Sequence, residues 1–205
     1  MTKPIQFGRQ AVLDAAFEIF SHEGLGALSV RKIALGAGSS TAPVYSCFSG
    51  IDEIRAALLE DSLARLIQFT EKTYTDNLFL NTGIGVLEFA KQYPVVYRTI
   101  FMENANGRDL FRKLTEANRK QMRRVPFYAA FSDIESDAIL DKLSIYTHGL
   151  AAMILAGILE NTETSHLIAL LDETGDDIIR SAVRRSTNTE KNGPQSPCKK
   201  GESHE

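Results

Sequence analysis

Residues Ser29 to Phe48 read SVRKIALGAGSSTAPVYSCF, and this stretch decides the fold. Ser29 precedes Val30 and can accept from a free backbone N–H, which predicts the N-cap of a short helix. Lys32 at the third helical position excludes a reciprocal capping box. Ile33, Ala34 and Ala37 recur on one face, and Gly38 lets the chain reverse without a Cβ clash. Ser40 is expected to cap a second short helix, with Thr41, Ala42 and Pro43 in its first turn. Proline is tolerated there because that N–H has no intrahelical partner. Val44 and Phe48 would pack this helix inward, leaving Ser40, Thr41, Ala42, Pro43 and Ser46 outside. Two short helices joined by a tight glycine turn have the layout of a helix-turn-helix, whose second helix lies in a DNA major groove.

The flanks support that layout. Upstream, Val12, Leu13, Ala16, Ile19 and Phe20 define the apolar face of a helix ending near His22, with Gly24 suited to a left-handed cap. Downstream, Gly50 breaks the chain before a long helix from about Ile51 to Tyr74. Further helices are expected over Ile84–Gln92, Val95–Met102 and Arg108–Arg124. A long apolar helix follows to about Asn161, with Ser136 as its candidate N-cap. A last helix opens at Thr164 and ends near Arg185. Strand-like alternation is almost absent, so the fold class is all-α. From Ser186 to Glu205 apolar periodicity stops, and that tail is expected to be disordered.

The run Ile19-Phe20, Gly24, Leu28-Ser29-Val30, Ile33-Ala34, Ala37-Gly38, Ser40, Val44-Tyr45 and Cys47-Phe48 resembles the N-terminal domain of TetR/AcrR-type regulators. The likeness covers about Arg9 to Leu59. It implies an all-α dimeric transcription regulator, usually a repressor. It has an N-terminal three-helix DNA-binding domain with a helix-turn-helix, and a C-terminal helical domain for ligand binding and dimerisation. The resemblance implies a DNA-binding domain at 1–50 and an effector-binding and dimerisation domain at 51–185, and the composition change sets the tail at 186–205. It also implies backbone contacts to DNA from Ser29 and Tyr45, and a base-facing set of Thr41, Ala42, Pro43 and Ser46. Ser39 stands where an apolar residue is usual, and Ile51 where a Lys is usual.

Charge restricts how DNA is read. Residues 1–50 carry a net charge of only +1, and phosphate neutralisation supplies most non-specific affinity. The recognition stretch lacks Arg, Lys, Asn and Gln, so no bidentate base contact is available. Specificity would rest on hydroxyls, water and methyl contacts. The competing reading is a helical small-molecule-binding protein that retains the fold and has lost DNA binding.

Between Ser136 and Arg185 the first of two apolar helices is apolar nearly all round, which a dimer interface on one side and the domain core on the other would satisfy; burial in a monomer core is the competing reading. The Thr147-His148-Gly149-Leu150-Ala151 stretch resembles a C-terminal type found in the same family. Phe89, Tyr97, Phe101, Met122, Tyr128, Tyr146 and His148 are the candidates for an effector pocket, and plain core is the competing reading. Arg108–Arg124 has a net charge of +5, either a solvated basic face or an entrance for anionic effectors.

Composition excludes several classes. A net charge of −3 over 205 residues excludes a wholly basic nucleic-acid coat. No uninterrupted apolar run approaches the ~20 residues that span a bilayer, and Gly149–Leu159 is too short, so no membrane partner is expected. The N-terminus lacks a signal-peptide core. Two cysteines, Cys47 and Cys198, make no disulfide framework, and a reducing cytoplasm is expected. Gly-rich phosphate loops, Cys/His metal spacings and Gly-x-Ser-x-Gly are missing, so no catalytic residue, metal or cofactor is expected. The partners expected are a double-stranded DNA operator, a small-molecule effector and a second copy of the chain.

Overall fold

A computed structural model describes residues 8–103, 107–129 and 131–191. These residues hold helices and turns and no strand. Helix α1 spans Arg9–Glu23, and a 3₁₀ turn at Leu25–Ala27 leads to α2, Val30–Gly36, and α3, Thr41–Cys47. Helix α4 spans Ile51–Thr70 and α5 Leu80–Gln92. Helix α6, Pro94–Arg98, runs into a π-helical turn at Thr99–Glu103. Then come α7, Gly107–Met122, α8, Pro126–Ala129, α9, Asp133–Leu155, and α10, Thr164–Lys191. Helix α10 thus continues past the expected end near Arg185; the remainder of the expected tail, 192–205, and Cys198 with it, lies outside the described residues.

Helices α1 to α3 form the head. Val12, Ala16, Phe20, Ile33 and Val44 have no exposed surface, and Phe48 has almost none, so each short helix is held by one or two apolar anchors. Seven-residue helices are too short to persist alone, and this packing stabilises them. Ser29 caps α2 as expected, its Oγ accepting from the Lys32 N–H at 3.2 Å. Ser40 occupies the N-cap of α3 but makes no side-chain cap bond. Gly38 turns the chain at φ +64°, where a Cβ would strain the backbone. Gly24 closes α1 at φ +83° with an extended ψ of 169°, so it has the positive φ expected but not the left-handed helical pair.

The head and body share α4, which packs on α1 and also on α5 and α7. Phe17 of α1 meets Tyr93 edge-on at 5.1 Å, and Tyr93, Phe89 and Phe69 pack against one another. The Arg65 guanidinium lies over the Phe17 ring at 4.3 Å and pairs with Asp14 and Asp61. The buried apolar core therefore runs unbroken from Val12 to Leu171.

In the body, α5 packs between α4, α9 and α10. Its approach to α4 is backbone to backbone: a Cβ on Gly85 would lie 2.3 Å from the Phe69 carbonyl oxygen. Helix α5 begins at Leu80, earlier than expected, because the Asn77 side-chain oxygen accepts from the Phe79 and Leu80 N–H groups. Ser132, not Ser136, caps α9. Ser132 and Glu135 form a full capping box, while Ser136 is buried one turn inside the helix. Helix α9 is also, among the described helices, the one long and apolar enough to cross a membrane by length and composition. Uninterrupted runs hide this, because Asp141 and Lys142 divide the sequence. Much of its apolar surface faces outward; Ile145 is 74% exposed.

Candidate nucleic-acid interface and effector cavity

Helix α3 presents the face expected of it. Val44 and Phe48 are buried, while Thr41, Ala42, Tyr45 and Ser46 are exposed and Pro43 is half-buried. Tyr45, an aromatic residue 58% exposed, projects from a surface otherwise made of small side chains. Ser29 and Ser40 are exposed at the starts of α2 and α3. The structure therefore brings Ser29, Ser40, Thr41, Ala42, Tyr45 and Ser46 to the surface of one small unit. The Ser46 hydroxyl donates to the Pro43 carbonyl at 2.7 Å, so its lone pairs face outward as acceptors. Cys47 is half-buried, with its sulfur 3.9 Å from Ser46 Oγ.

Arg9 fixes the far end of α3. Its guanidinium donates to the Cys47 carbonyl at 3.0 Å and to Glu53 Oε1 at 2.9 Å, and lies 4.0 Å from the Phe48 ring centroid. The Ser49 N–H and hydroxyl also donate to Glu53. The Ser49 N–H above all, then Arg9, lowers the Glu53 pKa to about 2. A carboxylate thus opens α4, where it also suits the helix dipole. Lys32 is paired with Glu23. Arg31 is the exposed cation of α2 that pairs with no acid among the described residues. Sequence reasoning counted its charge without singling it out, because pairing is invisible before the helices are placed.

The seven body candidates separate into distinct environments. Tyr128 and His148 line a partly open cavity of ≈ 80 Å³ bounded by α5, α7, α8, α9 and α10. Tyr97, Phe101 and the other side of His148 line a surface groove of ≈ 320 Å³. Phe89 has no exposed surface and belongs to the ring cluster joining head and body. Met122 is buried with Phe79, Tyr128 and Ile139, and Tyr146 packs partly buried against the main core. Residues that sequence reasoning missed, among them Asn77, Asn118, Ser144, Thr147, Asp172 and Asp176, complete the cavity. Hydrophobic periodicity selects core residues and passes over polar ones aimed inward.

His148 separates the cavity from the groove. Its Nδ1 shares a hydrogen bond with the Tyr97 hydroxyl. The Phe101 and Phe111 rings lie at 5.0 and 5.2 Å. Burial pulls its pKa down to about 4, so the imidazole is neutral at physiological pH. Burial also pushes the Tyr97 phenol up.

The basic charge of α7 is largely spent on ion pairs. Lys113 meets Glu60 at 2.6 Å, Arg112 meets Asp109 at 2.8 Å, Arg119 meets Asp137 at 2.6 Å, and Arg123 pairs with Asp133. Lys and Arg are missing from the cavity lining. The expectation of an entrance for anions therefore has no structural counterpart at the cavity.

A head of α1 to α3 with one polar face outward, joined to a helical body containing a cavity, is a two-part architecture with a helix-turn-helix in its first part. Residues 12–58 match the family described as bacterial regulatory proteins, tetR family. It is 35% identical over 60 residues to a nicotine-responsive transcriptional repressor, HdnoR, from Paenarthrobacter nicotinovorans. That match covers 29% of this chain and 31% of the repressor, so the chain spans about a third of the relative it matches. The fold matches a tetR-family regulator from Streptomyces coelicolor with a TM-score of 0.69 at 16% identity, over 86% of this chain and 82% of that one. It also matches MexZ, a repressor responsible for antibiotic resistance in Pseudomonas aeruginosa, with a TM-score of 0.56 at 18% identity, over 83% and 94%. These likenesses extend the shared fold to the body.

Proposed function

We propose that this protein is a cytoplasmic, homodimeric transcriptional repressor that binds a pseudo-palindromic operator and releases it when a small molecule occupies the body cavity. One observation carries the reading: α3 buries Val44 and Phe48 while holding Thr41, Ala42, Tyr45 and Ser46 outward. In this reading residues 1–50 form the DNA-binding head and residues 51–185 the effector-binding and dimerisation body. Tyr45, Ser29 and Arg31 contact phosphates. Thr41, Ala42 and Pro43 present methyl and methylene groups to thymine, and Ser40 and Ser46 add hydroxyls. No catalytic residue, metal or cofactor takes part.

The exposed apolar face of α9, with Ile145, Gly149 and Met153, supports pairing with a second copy. Pairing would also account for a membrane-like composition without a membrane. The recognition helices would then enter major grooves about 34–36 Å apart, or a multiple of that.

Communication from cavity to head would pass through His148 to Tyr97 on α6. The chain there follows directly on Tyr93, which packs on Phe17 of α1. A ligand acts only by favouring one spacing of the heads over another.

Gel-shift titration of a promoter fragment tests the reading. Tyr45→Ala and Thr41→Ala should each weaken binding about tenfold, near 1.4 kcal/mol, with the dimer intact by sedimentation. Unchanged affinity in both would remove α3 as the reading element.

A further inference from the structure

The outermost ridge of α3 carries one polar side chain, and its proton is already used. Ala42 and Ser46 stand two residues either side of Val44, which has no exposed surface. Two residues along an α-helix turn roughly 200°, so both lie on the side away from the core. Both are exposed, and they sit one turn apart. Tyr45 and Thr41 flank this ridge on one side and the half-buried Pro43 on the other.

The Ser46 hydroxyl donates to the Pro43 carbonyl at 2.7 Å. A hydroxyl has one proton and two lone pairs, so Ser46 offers only acceptance to a partner outside. Its Oγ lies 3.9 Å from Cys47 Sγ, and a thiol is a weak donor that occupies one lone pair. The other lone pair stays open.

An acceptor has nothing to give a phosphate oxygen, which also accepts. In the major groove guanine shows N7 and O6, and thymine shows O4 and a methyl group; none of these has a proton to give. The donors there are the exocyclic amines, N6 of adenine and N4 of cytosine. A serine oxygen pressed against guanine or thymine would lose its water and gain no partner, which weakens binding. Ala42, one turn away, makes no hydrogen bond that could offset the loss.

We propose that Ser46 is a specificity-determining residue: it selects adenine or cytosine over guanine and thymine at one position of each half-site, by accepting from the exocyclic amine. This assignment rests on the DNA-binding reading above and deepens it.

The test selects duplexes from a pool with a randomised core, using the full-length chain and its Ser46→Ala variant. The parent should enrich one column of the half-site for adenine or cytosine on one strand. Ser46→Ala should spread that column over all four bases and leave the other columns as they were. A second measurement changes the DNA alone. In the selected duplex with adenine at that column, 2-aminopurine replaces adenine in both half-sites, which moves the amine to the minor groove and keeps the pair with thymine. Gel shifts should show about tenfold weaker binding by the parent and no further loss with Ser46→Ala. A column of guanine or thymine that Ser46→Ala erases would mean a donating hydroxyl and overturn the proposal. Affinity lost uniformly with every column intact would place Ser46 on phosphates and overturn it too, as would 2-aminopurine bound as tightly as adenine. Enrichment of no sequence by the parent would overturn the DNA-binding reading and this assignment together. A selected palindrome without a column that depends on Ser46 would overturn this assignment alone.

Discussion

The head and the body treat their polar atoms in opposite ways. In the head the polar side chains that flank α3 are tied to the fold, and those left open, Ser40, Thr41 and Tyr45, face solvent. Ser29 caps α2, Ser46 donates to its own helix, Lys32 holds Glu23, and Arg9 and Ser49 hold Glu53. In the body cavity Asn118 Oδ1 has no partner and His148 stays neutral inside an aromatic setting. A surface that docks on a duplex of fixed shape gains from rigidity, because little is lost in ordering it. A cavity that accepts a guest gains from groups the protein leaves open. The apolar frames differ as well. The head is held by single anchors on short helices, whereas α4 and α5 in the body touch backbone to backbone at Gly85.

The sharpest way to break this comparison is at that contact. A Cβ on Gly85 would lie 2.3 Å from the Phe69 carbonyl oxygen and 2.6 Å from Thr70 Cα. Backbone cannot rotate away as a side chain does, so Gly85→Ala should cost about 3 kcal/mol or more, the upper end for overpacking. Gly83→Ala is the control: its Cβ meets only side-chain atoms, at 3.4 Å and beyond, and should cost less than about 1 kcal/mol. Urea titrations of both variants measure the difference.

Acid should act next, and on the body. The His148 pKa is lowered from 6.5 to about 4 in the folded chain, so between those values the unfolded state binds the extra proton. His148 therefore contributes stability that is fully present above pH 6.5 and is lost as pH falls towards 4, up to about 3 kcal/mol. His148→Phe should flatten that part of the stability profile relative to the parent chain. Parallel profiles would show that the imidazole is not held neutral.

The smallest effect on stability is expected in the head. The Arg9–Glu53 pair is exposed to solvent, which screens it. Arg9→Met should therefore leave the urea midpoint nearly unchanged. Its larger consequence should be a several-fold loss of operator affinity in gel shifts, because the Cys47 carbonyl at the end of α3 loses its anchor. Unchanged affinity would mean that α3 is fixed by Val44 and Phe48 alone.

Legibility in the sequence followed the physics of each signal. The Ser29 cap, the Gly38 turn and the inward set of Val44 and Phe48 were readable, because each depends on neighbours within a few residues. The α9 start is legible too, since Ser132-Asp133-Ile134-Glu135 has the capping-box spacing, which Ser136 lacks. The end of α4 at Thr70 and the π-helical turn at Thr99–Glu103 were not readable.

What the sequence determined alone was the all-helical class, the helix-turn-helix and the identity of its outward residues, since helical periodicity and turn chemistry are local properties. Tertiary structure alone decided which polar atoms are paired and which are open. The Arg9 clamp and the pairing of α7 with α4 and α9 join residues 18 to 53 positions apart, and Asn118 and Asp172, 54 positions apart, come to line one cavity. Only packing sets such distances, because charge and hydrogen bonding between remote residues depend on where whole helices come to rest.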